Sequence, residues 1–271
     1  LLLEKEGRPA DALEVLRRSL DRRPSWRLFY DLASMEYRQG QLSAARRSLE
    51  RLLDLAPNHF DASSFLAQLE LQVGSPRRAV ELYKQLVARS PGEAEVSNLS
   101  LAHLLLGEWE AAAESFSRVV DMSPSHPFYA LNLADVWMLM GRREEATVLY
   151  RRVLELLAAD ASGGGWQYAS VEAQAFAHLG RRQEAVIAIQ RALRLAPDNL
   201  QVAYEASLVY TLVGETTSAV VHAERAIEEL DRRWYSLPWF DDLRRDPRFL
   251  SLLDRPAPQG GPSQEAPRSG V

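Results

Sequence analysis

Five histidines are the first places to look for chemistry: His59, His103, His126, His178 and His222. An imidazole acts as general base or metal ligand only in company, with a second ligand or a carboxylate within reach. No two of these histidines stand at ligand spacing, and the H-E-x-x-H pattern of zinc proteases does not occur. His103 falls on the apolar side of a helical stretch and reads as a packed core residue. His178 falls on the opposite, open face, where it could tune the charge of something bound. The chain has no cysteine, which excludes disulfides, thiolate nucleophiles and cysteine-held zinc or iron–sulfur centres. The glycines of "SGGGW" lack the lysine and the strand-to-helix context that a phosphate loop needs. The H-R-D and D-F-G signatures of kinases are absent. Carboxylates are numerous but scattered, as on solvated helix faces. The expectation is a chain that is not an enzyme, with no catalytic or metal-binding residues and no cofactor.

Composition narrows the partners. With a formal net charge of −5 the chain has no sequence-independent pull on nucleic acid or anionic lipid. No apolar run approaches the ~18 residues of a membrane span. No nucleic acid, no membrane insertion and a cytoplasmic location are therefore expected. Only Lys5 and Lys84 are lysines among 32 basic residues, a bias that points to a G+C-rich bacterial genome. The first residues, "LLLEKEG", lack an initiator methionine and read as the back half of a helix, so a longer protein is expected to precede Leu1.

Two residues with possible binding chemistry, Asn98 and Asn132, stand in matching places of a repeating pattern. Glycine recurs at 7, 40, 74, 107, 141, 180 and 214, and alanine stands five residues after each one. Proline stands 17 residues after five of them, at 24, 57, 91, 124 and 197. A small residue precedes six of the glycines by seven: Ala33, Ala67, Ser100, Ala134, Ala173 and Ser207. Each repeat thus predicts an amphipathic helix, a glycine able to end it in the left-handed conformation, and a second helix closed by proline. The small residues let two helices approach closely. Leu32, Leu66, Leu99 and Leu133 on first helices, with Tyr83, Phe116 and Tyr150 on second helices, fill the space between repeats. A pair of helices this short cannot bury its apolar face alone, so neighbours must stack.

In this order of small residue, glycine, alanine, aromatic and proline the chain resembles a tetratricopeptide-repeat (TPR) array. The resemblance implies an all-α, right-handed α-solenoid of antiparallel helix pairs (a TPR superhelix) over residues 1–232, a half repeat plus six. The fifth repeat breaks the period: Ala158 replaces the proline and extra residues fall at 158–166. That stretch reads as a surface insertion, or else as a hinge between the first four and the last two repeats. Residues 233–254 are rich in aromatics, with Trp234, Tyr235, Trp239, Phe240 and Phe249, and read as a terminal cap. The stretch "LRRDPRFLSLL" is similar to the closing segment of TPR regions in bacterial multidomain signalling proteins. Residues 255–271, rich in proline and glycine, are expected to be disordered.

In TPR proteins the first helices line a groove that holds an extended or helical segment of a partner. Carried onto this chain, the groove positions lie 13, 10, 9, 6, 3 and 2 residues before each glycine. The second repeat supplies Arg27, Tyr30, Asp31, Ser34, Tyr37 and Arg38; the third supplies Asp61, Ser64, Phe65, Gln68, Leu71 and Gln72. The resemblance implies a binding centre over 94–139, with Asn98, Leu101, Leu105, Leu131, Asn132, Asp135 and Met138, flanked by Gln174 and Tyr204. An asparagine amide donates and accepts at once, which suits a peptide backbone of any sequence. Burying three leucines would contribute ~1.5–3 kcal/mol each before association costs, enough for roughly micromolar affinity. The lysine that clamps a terminal carboxylate in some TPR domains is missing; its position holds Tyr30, Ser64, Ser97, Leu131, Ser170 and Tyr204. Asp31, Asp61, Asp135 and Glu205 suggest tolerance for a basic residue in the partner. The expected function is a non-enzymatic interaction scaffold for a protein or peptide. One alternative is the regulatory arm of a larger signalling enzyme, such as a serine/threonine kinase. The other is a self-assembly module in which the aromatic cap pairs with a second copy as a homo-oligomer.

Overall fold

The punctuating glycines act as the spacing requires at most positions. In a computed structural model, which describes residues 9–160, 164–227 and 232–255, Gly40, Gly107, Gly141, Gly180 and Gly214 all take φ between 70° and 77°. The amide after each reaches back to a carbonyl five residues earlier, as Arg142 N–H does to Trp137 at 2.8 Å. That bond satisfies a helix-end carbonyl which solvent or a side chain would otherwise have to meet. Gly74 is the exception, with no positive φ. There the carboxylate of Glu70 accepts from Ser75 N–H at 2.8 Å, and a Cβ on Gly74 would lie 2.8 Å from the Glu70 Cα. Glycine is needed at 74 for room rather than for handedness. Gly7 lies outside the described residues.

Among the described residues the elements are helical throughout. They are α1 (Pro9–Arg22), α2 (Trp26–Arg38), α3 (Leu42–Leu55), α4 (Phe60–Gln72), α5 (Pro76–Arg89), α6 (Glu93–Leu105) and α7 (Trp109–Met122). Then follow α8 (Pro127–Leu139), α9 (Arg143–Ala159), α10 (Gly165–His178), α11 (Arg182–Leu195), α12 (Leu200–Leu212) and α13 (Thr216–Ile227). Three short 3-10 turns, Arg232–Ser236, Pro238–Phe240 and Leu243–Arg245, lead to α14 (Pro247–Leu253). The result is an all-α solenoid fold of tandem helix pairs. The 17-residue α9 takes up part of the fifth repeat's extra length. Gly164 and Gly165, at φ 45° and 59°, enter α10, while residues 161–163 and 256–271 lie outside the described set.

Two compact units divide within α6, after Ala102. In the first, α2 packs on α3 and α4 on α5 around Ala33, Ala45, Leu49, Leu52, Leu66 and Leu69. In the second, α8 packs on α9, α10 on α11 and α12 on α13, and the first helices α8, α10 and α12 also touch in sequence. The small-residue positions explain the close approach: Ala33, Ala67, Ser100, Ala134, Ala173 and Ser207 expose no surface, nor do Ala45, Ala79, Ala112, Ala146, Ala185 and Ala219. A larger side chain at any of them would push its two helices apart, at a cost of ~1–3 kcal/mol. Tyr83, Phe116 and Tyr150 are likewise fully buried.

The aromatic C-terminal segment belongs to the core of the second unit. Tyr235, Phe240, Leu243, Phe249 and Leu252 are buried in one cluster with Tyr204, Leu208, Val220 and Ala223. The cluster is therefore satisfied by the chain's own last repeats, and no bare aromatic face is left at these five residues for a second copy.

Candidate functional site

The first unit carries an open cleft of about 440 Å³, lined by Tyr30, Ser34, Tyr37, Arg38, Phe60, Asp61, Ser64, Phe65, Gln68 and Glu95. Most of these side chains occupy the expected groove positions of α2 and α4. The reason they converge is helical: positions three and four residues apart share a face, and the stacked first helices present that face together. Phe65 sits between two tyrosines, with edge-on contacts to Tyr37 at 5.2 Å and Tyr30 at 6.3 Å between ring centroids. His59 has a structural role beside the cleft. Its Nδ1 accepts from Ala62 N–H at 3.3 Å, capping α4, and its ring lies 4.7 Å from that of Trp26.

Two carboxylates line the cleft: Asp61 is exposed, and Glu95 on α6 accepts from the Ser64 hydroxyl at 3.3 Å. Partial burial, and then the charge of Asp61, push the Tyr30 phenol above its ordinary value, so it stays a neutral donor. Asn98 stands three residues beyond Glu95 on α6 and, like Leu101, is half-buried. Arg38 lines the same cleft and is itself engaged by neighbouring groups. Rings of this kind with carboxylates beside them can hold an apolar or aromatic side chain next to a cation.

The second unit holds a polar cluster on the open face of α8, α10 and α12. Asp135 accepts from the Tyr150 hydroxyl at 2.7 Å and from the Gln174 amide at 2.6 Å. The Nε2 of His178 lies 3.5 Å from the same carboxylate, and its ring stacks on Tyr150 at 4.7 Å. Trp239, from the C-terminal segment, closes the cluster edge-on over His178 at 5.0 Å. Burial pushes Asp135 up to about 8 and Glu205 up to about 7, and it pushes His178 down to about 3. All three groups are thus driven toward their uncharged forms by desolvation, without an arginine or lysine bonded to either carboxylate among the described residues.

This burial corrects the expected binding centre. Leu131, Asp135, Gln174 and Tyr204 are each between 4% and 8% exposed, so a partner cannot reach them in this arrangement. Leu131 joins the core of α8, α9 and α10, and Tyr204 is covered by Tyr235 and Phe240. Leu105, Asn132 and Met138 remain half-buried in the second unit. His178, expected on the open face, has a side chain only 5% exposed, with Trp239 against its ring.

Sequence reasoning also missed two buried carboxylates that it took for solvated surface. Glu36 accepts from the Ser48 hydroxyl at 2.6 Å and from Arg17 at 3.0 Å; Glu70 pairs with Arg78 at 3.1 Å. Both stand four residues before the repeat glycine, and that recurrence was the available signal. His103 holds the same position in the next repeat, where it is buried with its Nδ1 2.5 Å from Glu108. No group of three or more metal-ligating side chains occurs among the described residues, and no helix there is long and apolar enough to cross a membrane.

Tandem antiparallel helix hairpins with an exposed first-helix face define a repeat-solenoid protein. Models of the tetratricopeptide repeat match residues 1–60, 30–94, 66–127, 97–164 and 171–199. The chain belongs to the tetratricopeptide-repeat family, whose members are generally non-catalytic scaffolds. No curated protein matches it in sequence. Among solved structures it is similar to a tetratricopeptide repeat protein from Parabacteroides merdae, at TM-score 0.67 and 15% identity over 93% of this chain and 95% of the other. It is similar to a thermophilic TPR protein of Thermus thermophilus, at TM-score 0.52 and 26% identity over 66% and 95% of the two chains. MamA from Desulfovibrio magneticus is similar at TM-score 0.55 and 22% identity over 59% and 92%.

Proposed function

We propose that this chain is a non-enzymatic interaction module that binds a short segment of a partner protein in the cleft of its first unit. The observation that carries this reading is the convergence of Tyr30, Tyr37 and Phe65 with Asp61 and Glu95 in one open cleft. Its ligand is a segment bearing an apolar or aromatic side chain beside an arginine or lysine. Asn98 extends the cleft along α6 and engages the backbone of the segment. In the second unit, taken by itself, Leu105, Asn132 and Met138 are half-buried and could each meet a partner; the buried Leu131, Asp135, Gln174 and Tyr204 could not.

The test uses a random peptide library panned on the full chain. Enriched peptides are expected to carry an aromatic or aliphatic residue next to a basic one. Phe65→Ala and Asp61→Lys are each expected to weaken binding of the best peptide about tenfold, near 1.4 kcal/mol. Higher salt is expected to weaken it further, since Asp61 is solvent-exposed. Peptides enriched without any basic residue, or binding indifferent to both substitutions, would remove the cleft from the function.

A further inference from the structure

The first unit has a second opening beside its cleft. It is an open pocket of about 490 Å³ lined by Arg23, Pro24, Ser25, Trp26, Leu28 and Leu55. The pocket forms where the turn after α1 meets the start of α2 and the end of α3, so a second helix helps to line it. Trp26 and Leu55 are large apolar side chains left 38% and 51% exposed there. No carboxylate lines the pocket. Arg23 is exposed, and the Arg27 guanidinium sits over the Trp26 ring at 5.1 Å. Among the described residues neither arginine is in an ion pair, whereas Arg17 and Arg18 on α1 are bonded to Glu36 and Glu14.

A row of rings joins this pocket to the cleft. The Trp26 ring lies 4.7 Å from His59, His59 lies 6.0 Å from Tyr30, and Tyr30 lines the cleft beside Phe65. Trp26 and Tyr30 stand one helical turn apart on α2, so they share a face. His59 cannot leave the row without giving up the cap that its Nδ1 makes with Ala62 N–H at 3.3 Å. The two ends of the row carry opposite charge: Asp61 and Glu95 at the cleft, Arg23 and Arg27 at the pocket. Along α2 the middles of the two openings are separated by ~12 Å of helix. An extended chain covers that distance in about four residues.

We propose that this pocket is a second subsite for the segment held in the cleft, and that it takes an apolar side chain with an acidic neighbour. The inference rests on the reading of the cleft as the seat of an apolar and a basic residue. The partner segment is then dipolar, with its acid and its base about four residues apart. The Arg23 guanidinium offers the paired donors that suit a carboxylate, and Arg27 adds a second positive charge beside it. Trp26 and Leu55 cover the apolar neighbour of that acid. A wholly acidic segment is repelled at Asp61 and Glu95, and a wholly basic one at Arg23 and Arg27. The two subsites together therefore select a charge order that neither selects alone.

Peptides panned on the full chain are expected to carry aspartate or glutamate about four residues from their basic residue. Three synthetic forms of the best peptide are then titrated against the full chain: the parent, one with the acid replaced by alanine, and one with it replaced by arginine. Arg23→Glu combined with Arg27→Glu is expected to weaken the parent peptide about tenfold, the sum of two exposed ion pairs. The alanine form should bind the unaltered chain about as weakly and respond little to the two substitutions. The arginine form should bind the double variant better than the unaltered chain, a gain that a damaged pocket could not give. Binding that needs Phe65 and Asp61, but neither the acid nor the two arginines, would overturn the subsite and leave the cleft in place. Binding indifferent to Phe65→Ala and Asp61→Lys would remove the cleft, and the subsite with it.

Discussion

Glu70 illustrates how much of this fold rests on single polar side chains. Its carboxylate, fully buried, bonds to Ser75 N–H where the other described repeats use a backbone carbonyl, and it pairs with Arg78 at 3.1 Å. Removing it leaves the Ser75 amide without its acceptor, while Arg78 keeps Glu50 at 2.8 Å. Glu70→Ala is expected to cost ~2 kcal/mol, measured by urea unfolding, because a charge-assisted hydrogen bond is lost. Glu36 holds the corresponding place one repeat earlier, with Ser48 and Arg17 as its partners. In later repeats the same position carries Trp137 and Phe176, each under a following arginine at 4.6 and 4.4 Å. One place in the repeat therefore joins a helix end to the start of the next helix, by charge in some repeats and by a ring in others.

At the level of the elements, the helices differ in how they begin. The α12 start is well capped: Asn199 accepts from Gln201 N–H at 2.8 Å and Val202 N–H at 3.2 Å. Asn199→Ala is expected to lower stability by ~1 kcal/mol and to raise exchange in the first turn of α12. The second helices α3, α7, α9 and α11 start without any side-chain cap, on Gln41, Glu108, Arg142 and Arg181. Their ends are held by the preceding glycine turn and by burial of the alanine a few residues on. Of these four, Gln41 has only an exposed side-chain bond to Gln39, and Gln41→Ala is expected to matter less than Asn199→Ala.

At the scale of the whole chain, the second unit carries a pH response of its own, because desolvation raises both Asp135 and Glu205. An acid whose value is raised on folding contributes stability that is present at low pH and lost as the pH passes upward through the folded value. The urea midpoint at which α8 to α13 lose amide protection is expected to fall from pH 5 to pH 8 and then flatten. Asp135→Asn with Glu205→Gln should remove most of that fall, and an unchanged slope in the double variant would show that other groups cause it.

The repeat period, the helix pairs, the glycine turns and the buried alanines were legible in the sequence because each depends on residues within about one repeat. The groove positions of α2 and α4 were legible for the same reason, since a helix face is set by local periodicity. Which of those faces stays open was not. Tyr204 and His178 are covered by rings more than thirty residues further along, and Leu131 is sealed by α9 and α10. Glu36 looks like a surface carboxylate until Arg17 and Ser48 close over it from two other helices. Sequence alone determined the repeating architecture and the family, through local spacing. Tertiary structure decided which carboxylates are buried and which first-helix side chains stay exposed, because both depend on contacts made between repeats.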